Sequence, residues 1–204
     1  MPRNTKEKIV LTSINLFNEL GLANVRLQQI ADGAGISVGN LAYHFKNKEA
    51  IVSRVYEELF EDFSAILAKY LQSPELAEFD LFLGSYFHFA QKYRFYLADL
   101  MIAVGPINNN INTWNEYANK LLAQIRNRID FYVANQMVIT EPRAGIYDQL
   151  AKNIWRSLFF SIPEATFRGQ IPSEAQFKQE VWEQLKPYLT RQGLESLSVL
   201  SPNI

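Results

Sequence analysis

Between Gly21 and Phe45 the chain carries two apolar patterns, each only about eight residues long and joined by a glycine-marked turn. In the first, Leu27, Ile30, Ala31 and Ala34 recur at helical spacing, and Gly33 and Gly35 punctuate the run with backbone angles that other residues resist. In the second, Ser37 is placed to cap a helix by accepting a free backbone N–H, and Ile36, Leu41 and Phe45 are its apolar anchors. Two-turn helices are not stable alone in water, so this stretch requires a platform. The spacing is that of a helix-turn-helix.

The platform lies just upstream. Asn4 and Glu7 form a capping pair, and Ile9, Ser13, Ile14, Phe17 and Leu20 then repeat at helical spacing until Gly21, predicting a helix over residues 5–20. The three helices share a core of Ile14, Phe17, Leu27, Ile30, Ile36, Leu41 and Phe45. With those residues inside, Val38, Gly39, Asn40, Tyr43 and His44 face outward, a surface of small and hydrogen-bonding groups better suited to reading a partner than to packing.

The remainder reads as further helices. Asn47 caps a long one, in which Ile51, Val55, Leu59, Phe63, Leu67 and Tyr70 keep a stripe to about residue 71, and Ser73-Pro74 ends it and starts the next. Residues 79–104 are apolar on nearly every side, the mark of a buried helix, and Gly105-Pro106 closes that run with Asn108, Asn109 and Asn110 after it. Later helices span Trp114 to about Met137, Tyr147 to about Pro163, and the stretch opened by the Ser173/Gln176 capping box and limited by Pro187. Val138-Ile139-Thr140 is the one β-like run. The fold class is all-α.

With 48% hydrophobic and 20% charged residues among 204, the chain has the apolar mass for a core. It has no cysteine, which excludes disulfides, thiolate zinc sites and cysteine nucleophiles, and its two histidines form no metal or catalytic set. No cofactor, metal or enzymatic activity is expected. The start has no apolar leader segment and no run reaches a membrane span, so a cytoplasmic setting without membrane partners is expected. The net charge is −1, yet residues 1–50 hold six Lys/Arg against four Asp/Glu. A solvated surface explains that surplus as well as a polyanionic partner does.

Gly21, Ile30-Ala31, Ala34-Gly35-Ile36-Ser37, Gly39, His44-Phe45 and Lys48-Glu49 together resemble the N-terminal DNA-binding domain of the TetR family of transcriptional regulators, over about residues 3–63. The resemblance implies a helix-turn-helix DNA-binding domain at 1–47 and a helical effector-binding and dimerisation domain at 48–204. It also implies double-stranded DNA, a small hydrophobic or aromatic effector and a second copy of the chain as partners, with a repressor mode of action in which the effector releases a palindromic operator.

Residues 37–44 then become the recognition helix. Asn40 offers adenine a donor and an acceptor, Val38 meets a thymine methyl, and Gly39 admits close approach. The family commonly has tyrosine where Ala42 stands and Thr/Ser where Val25-Arg26 stands, so Tyr43 and Arg26 are the replacement phosphate contacts; His44 and Lys48 also meet phosphate, and Gln28 and Ser37 complete the DNA-binding set. Lys48 lies beside a positive helix N-terminus, where a phosphate would give a cation a purpose.

For the effector, the resemblance favours a cavity around Phe82, Tyr86, Phe89, Tyr93, Tyr96 and Asp99, with Trp114, Tyr117 and Trp155 opposite. For the dimer it implies a four-helix bundle using Ile154, Leu158, Phe159 and Ile162 with Phe177, Val181, Trp182 and Leu185. The alternative is a helical small-molecule carrier that no longer reads DNA, as Ala42 suggests.

Overall fold

The computed structural model describes residues 4–97, 111–170 and 172–200, the side chains of 111–114 aside. α1 is Thr5–Leu20; Asn4 Oδ1 accepts the Lys6 N–H at 3.1 Å, and Gly21, at φ +79°, ends the helix. A 3-10 turn, Leu22–Asn24, leads to α2, Leu27–Gly33. Gly35 at φ +63° closes α2: its N–H reaches Asp32 O and the Ile36 N–H reaches Ala31 O, both at 3.0 Å, the paired bonds of a Schellman stop. Gly33 serves packing rather than an unusual backbone angle, because a Cβ there would sit 2.8 Å from Thr12 Cγ2 where α1 and α2 meet.

α3 is Val38–His44, with Ser37 Oγ accepting the Asn40 N–H at 3.1 Å. α4, Lys48–Tyr70, follows on an Asn47 cap. At its far end buried Arg128 donates to the Tyr70 carbonyl and, at 3.1 Å, to the Glu75 carbonyl, with its guanidinium 3.8 Å from the Tyr70 ring centroid. That cation meets the Tyr70 carbonyl at the negative end of α4 and ties it to the Glu75 carbonyl that opens the next helix.

α5 is Leu76–Lys92 and is capped by Glu75, so Pro74 lies in the turn before the helix rather than at its first position. The long aromatic helix expected from 79 onward stops at Tyr93, and residues 94–97 form a separate helical turn. The readings at Asp99, Gly105-Pro106 and Asn108–Asn110, and the side chain of Trp114, lie outside the described residues.

α6 is Ile111–Ala134 and α7 is Ile146–Phe167. Pro163 lies inside α7 rather than ending it: the ring is buried, and one turn on Thr166 Oγ1 bonds the Ile162 carbonyl at 2.9 Å. A proline removes one N–H, and packing can hold the helix through that loss. α8, Glu174–Leu185, has the expected Ser173/Gln176 box and passes at Pro187 into a 3-10 turn, Lys186–Tyr188. A further helix, α9, spans Arg191–Leu200. The β-like run supplies an isolated antiparallel bridge, Val138 to Leu189, flanked by Ile139 N–H to Tyr188 O and Thr190 N–H to Met137 O, each 2.9 Å.

One contiguous buried cluster runs from Ile9 in α1 to Leu197 in α9. It absorbs all eight residues assigned to the dimer interface: Ile154, Leu158, Phe159, Ile162, Phe177, Val181, Trp182 and Leu185 are each at most 5% exposed within a single chain. Their apolar stripes pack α7 and α8 against α5 and each other, so any partner must meet different side chains. No helix among the described residues is long and apolar enough to cross a membrane.

Candidate nucleic-acid interface and aromatic core

α3 presents its outer face as the sequence implies. Leu41 is fully buried and Phe45 nearly so, anchoring the element, while Ser37, Gly39, Asn40 and Ala42 are exposed, Val38 is 38% exposed and Tyr43 85%. Tyr43 stands clear of the core and meets His44 edge-on, at a centroid distance of 5.2 Å. A large ring so exposed has no packing reason to be there.

Gly39 is the sharper observation. It is inside the first turn of α3 with no positive φ, and a Cβ at that position would find only Ser37 Oγ, at 3.9 Å. Glycine costs about 0.8–1 kcal/mol relative to alanine in a helix. Neither backbone geometry nor internal crowding requires it here, and the exposed backbone at this position is open to close approach.

The flanking polar residues have local duties as well. Arg26 and Gln28 are exposed; the Arg26 N–H donates to Gln29 Oε1 at 2.8 Å, the back-bond of Gln29 onto the start of α2, and Gln28 Nε2 donates to Asp32 at 2.7 Å. The Arg26 guanidinium is left to solvent or a phosphate. Lys48 corrects the expectation that its cation has no structural purpose. Its Nζ donates to Leu22 O at 2.6 Å and Ala23 O at 3.4 Å, tying the start of α4 to the turn after α1.

The effector set separates into three neighbourhoods. Phe82 packs on Tyr70, centroids 4.2 Å apart, at the α4–α5 turn. In the middle, Tyr86, Phe89 and Tyr117 surround Phe63 at 6.2, 5.3 and 5.6 Å, and Trp155 joins through Phe159. Near the reader, the Tyr93 hydroxyl donates to Asp62 at 2.8 Å and Tyr96 meets Tyr56 at 5.1 Å. Sequence reasoning missed Phe63 and Phe159 as members of the middle group: each looked like an ordinary stripe residue, and only the crossing of α4, α5 and α7 brings them together.

Within that middle group two buried polar atoms, Tyr86 OH and Trp155 Nε1, have no hydrogen-bond partner among the described residues. Burial pushes the Tyr86 phenol well above the ordinary tyrosine range, so it stays protonated. An unsatisfied buried donor costs about 1–3 kcal/mol, which a bound polar group would recover.

A short glycine-closed helix-turn-helix on a helical body defines the class of helix-turn-helix regulators. The comparisons narrow this. Residues 9–55 match the model of bacterial regulatory proteins of the tetR family. The probable HTH-type transcriptional regulator YttP of Bacillus subtilis (strain 168) is 31% identical over 67 residues, 33% of this chain and 32% of that protein. The crystal structure of a TetR-family transcriptional regulator from Marinobacter aquaeolei VT8 superposes with a TM-score of 0.79 at 25% identity, covering 98% of both chains. A SmeT–triclosan complex shares the fold, with a TM-score of 0.58 at 14% identity and 93% of each chain covered. Residues 9–55 thus match the tetR-family regulatory domain, and the chain as a whole shares the fold of TetR-family regulators.

Proposed function

We propose that this protein is a DNA-binding transcriptional regulator that grips a palindromic operator as a dimer and is released by a small, mainly apolar effector. Residues 1–47 act as the reader and 48–204 as the sensing and dimerising body. The observation that carries the reading is the outer face of α3, where Gly39 is present without an internal reason and Asn40 stands exposed beside it.

Asn40 reads adenine through its amide, Val38 touches a thymine methyl, and Arg26, Tyr43 and His44 hold phosphates. Lys48 reaches a phosphate only while still holding the Leu22 carbonyl. The effector lies among Tyr86, Phe89, Tyr117 and Trp155 and offers one polar group to the unpartnered hydroxyl and indole N–H. Triclosan in the SmeT complex has that general character, a mostly apolar body with a hydroxyl.

Selection from a random DNA pool, followed by footprinting at several salt concentrations, tests the proposal. A palindromic site should emerge, with affinity falling steeply as salt rises because bound cations release counterions. On that site Asn40→Ala should lose about 1–3 kcal/mol of discrimination at one base pair per half-site. Binding indifferent to sequence would reject the regulator and leave a helical carrier.

A further inference from the structure

α5 breaks at Tyr93, and the break leaves a carbonyl and an N–H without helical partners. Asn18, in α1 and more than seventy residues away in sequence, satisfies both. Its Nδ2 donates to Lys92 O at 2.8 Å and its Oδ1 accepts the Phe95 N–H at 3.0 Å, so one side-chain amide fills the gap as a peptide unit would. Beside it the Phe17 and Phe95 rings meet edge-on at 5.4 Å.

The same short segment is held from the other side by α4. Lys92 Nζ lies 2.9 Å from both Glu58 Oε1 and Asp62 Oδ2, Tyr93 OH donates to Asp62, and Tyr96 packs on Tyr56. Residues 92–96 therefore sit between the helix that carries the reader's platform and the helix that leads into the body. A two-bond amide clasp is directional, whereas the apolar contacts around it tolerate sliding.

We propose that Asn18 is a positioning residue: without touching DNA, its clasp fixes the angle at which the α1–α3 reader sits on the body. This rests on the regulator reading above.

The absence of cysteine allows clean spin labelling of the full chain at Ala42→Cys and Asn127→Cys, diluted with unlabelled protein so that each labelled chain reports its own reader-to-body distance. Asn18→Ala should widen that distance distribution, and Asn18→Asp, which keeps the acceptor but not the donor, should widen it less. In DNA selection both variants should recover the wild-type half-site sequence with looser half-site spacing. Asn18→Ala should bind the best site about tenfold more weakly, the factor for one to two net hydrogen bonds. A residue that served only folding would lower the melting temperature and leave the distance distribution and spacing preference as in wild type, and that result would overturn the proposal. Failure of the regulator reading shows separately, as wild-type protein selecting no sequence.

Discussion

At the scale of the residue, Lys48 shows how one side chain can satisfy a sequence argument for the wrong reason. A cation at a helix N-terminus opposes the helix dipole, which pointed to a phosphate. The carbonyls of Leu22 and Ala23 already meet that charge. Lys48→Ala should therefore lower the free energy of unfolding by about 1–3 kcal/mol with no DNA present. Urea titration measures this, and an unchanged midpoint would show that the two carbonyl contacts add nothing to stability. The carbonyls were invisible in the sequence because the turn that aims them lies some twenty-five residues upstream. Asn40, Val38 and Tyr43, by contrast, were legible as outward residues from the positions of Leu41 and Phe45 alone.

The buried tyrosines carry a pH dependence whose sign follows from burial. Desolvation pushes Tyr70 and Tyr96 up to about 12 and raises Tyr86, Tyr93 and Tyr132 further. The folded chain thus keeps protons that the unfolded chain releases near pH 10. Their contribution to stability is fully present below about pH 10 and is lost as pH rises from there toward 12. Each tyrosine ionised only in the unfolded state subtracts about 1.4 kcal/mol per pH unit in that window. Denaturation midpoints should hold steady through pH 9 and fall above 10, and phenolate absorbance should develop with unfolding rather than before it. A gradual phenolate rise in the native state covering these rings would show them to be accessible.

At the scale of the element, helix starts were more legible than helix ends. The caps at Ser37, Asn47 and Ser173 form as written, and Asn4 caps α1 through the Lys6 N–H rather than by pairing with Glu7, because a cap is a local hydrogen bond between neighbours in sequence. Ends depend on what the helix meets. α5 stops at Tyr93 where Asn18 accommodates the break, and α7 runs past Pro163 because that ring is packed. α9 escaped notice because its short run, Arg191–Leu200, buries little more than Gly193 and Leu197. Gly193 is what lets it dock: a Cβ there would overlap the Met137 carbonyl oxygen, which already accepts the Thr190 N–H. Gly193→Ala should lift α9 away from the α6–α7 connection at a cost of about 1–3 kcal/mol, the usual range for overpacking. Limited proteolysis should then cut within residues 191–200 sooner than in wild type, with the rest of the chain resistant; equal cutting rates would show that the backbone shifts at no cost.

For the whole molecule, the eight dimer-interface residues mark where periodicity stops being informative. A stripe of buried residues records that a face is covered, not whether the cover is the same chain or another. Leu158→Ala should accordingly cost about 2–5 kcal/mol of folding, an effect on the monomer. The face that α7 leaves open is different: Phe160 is 40% exposed and Phe167 93%, and being seven residues apart they share one side of the helix. Next to them, between α7 and α8, lies a cleft of about 550 Å³ lined by Ser161, Glu164, Arg168, Phe177 and Glu180. A two-fold dimer across this side would cover both rings twice, each burial worth about 1.5–3 kcal/mol. Phe160→Glu with Phe167→Glu should therefore weaken the dimer by at least about a hundredfold while leaving the helical circular dichroism of each chain intact. Sedimentation equilibrium across a concentration series measures it, and the same variant should still bind a single half-site weakly while losing the palindrome. A dimer constant unchanged by both charges would place the interface on another face.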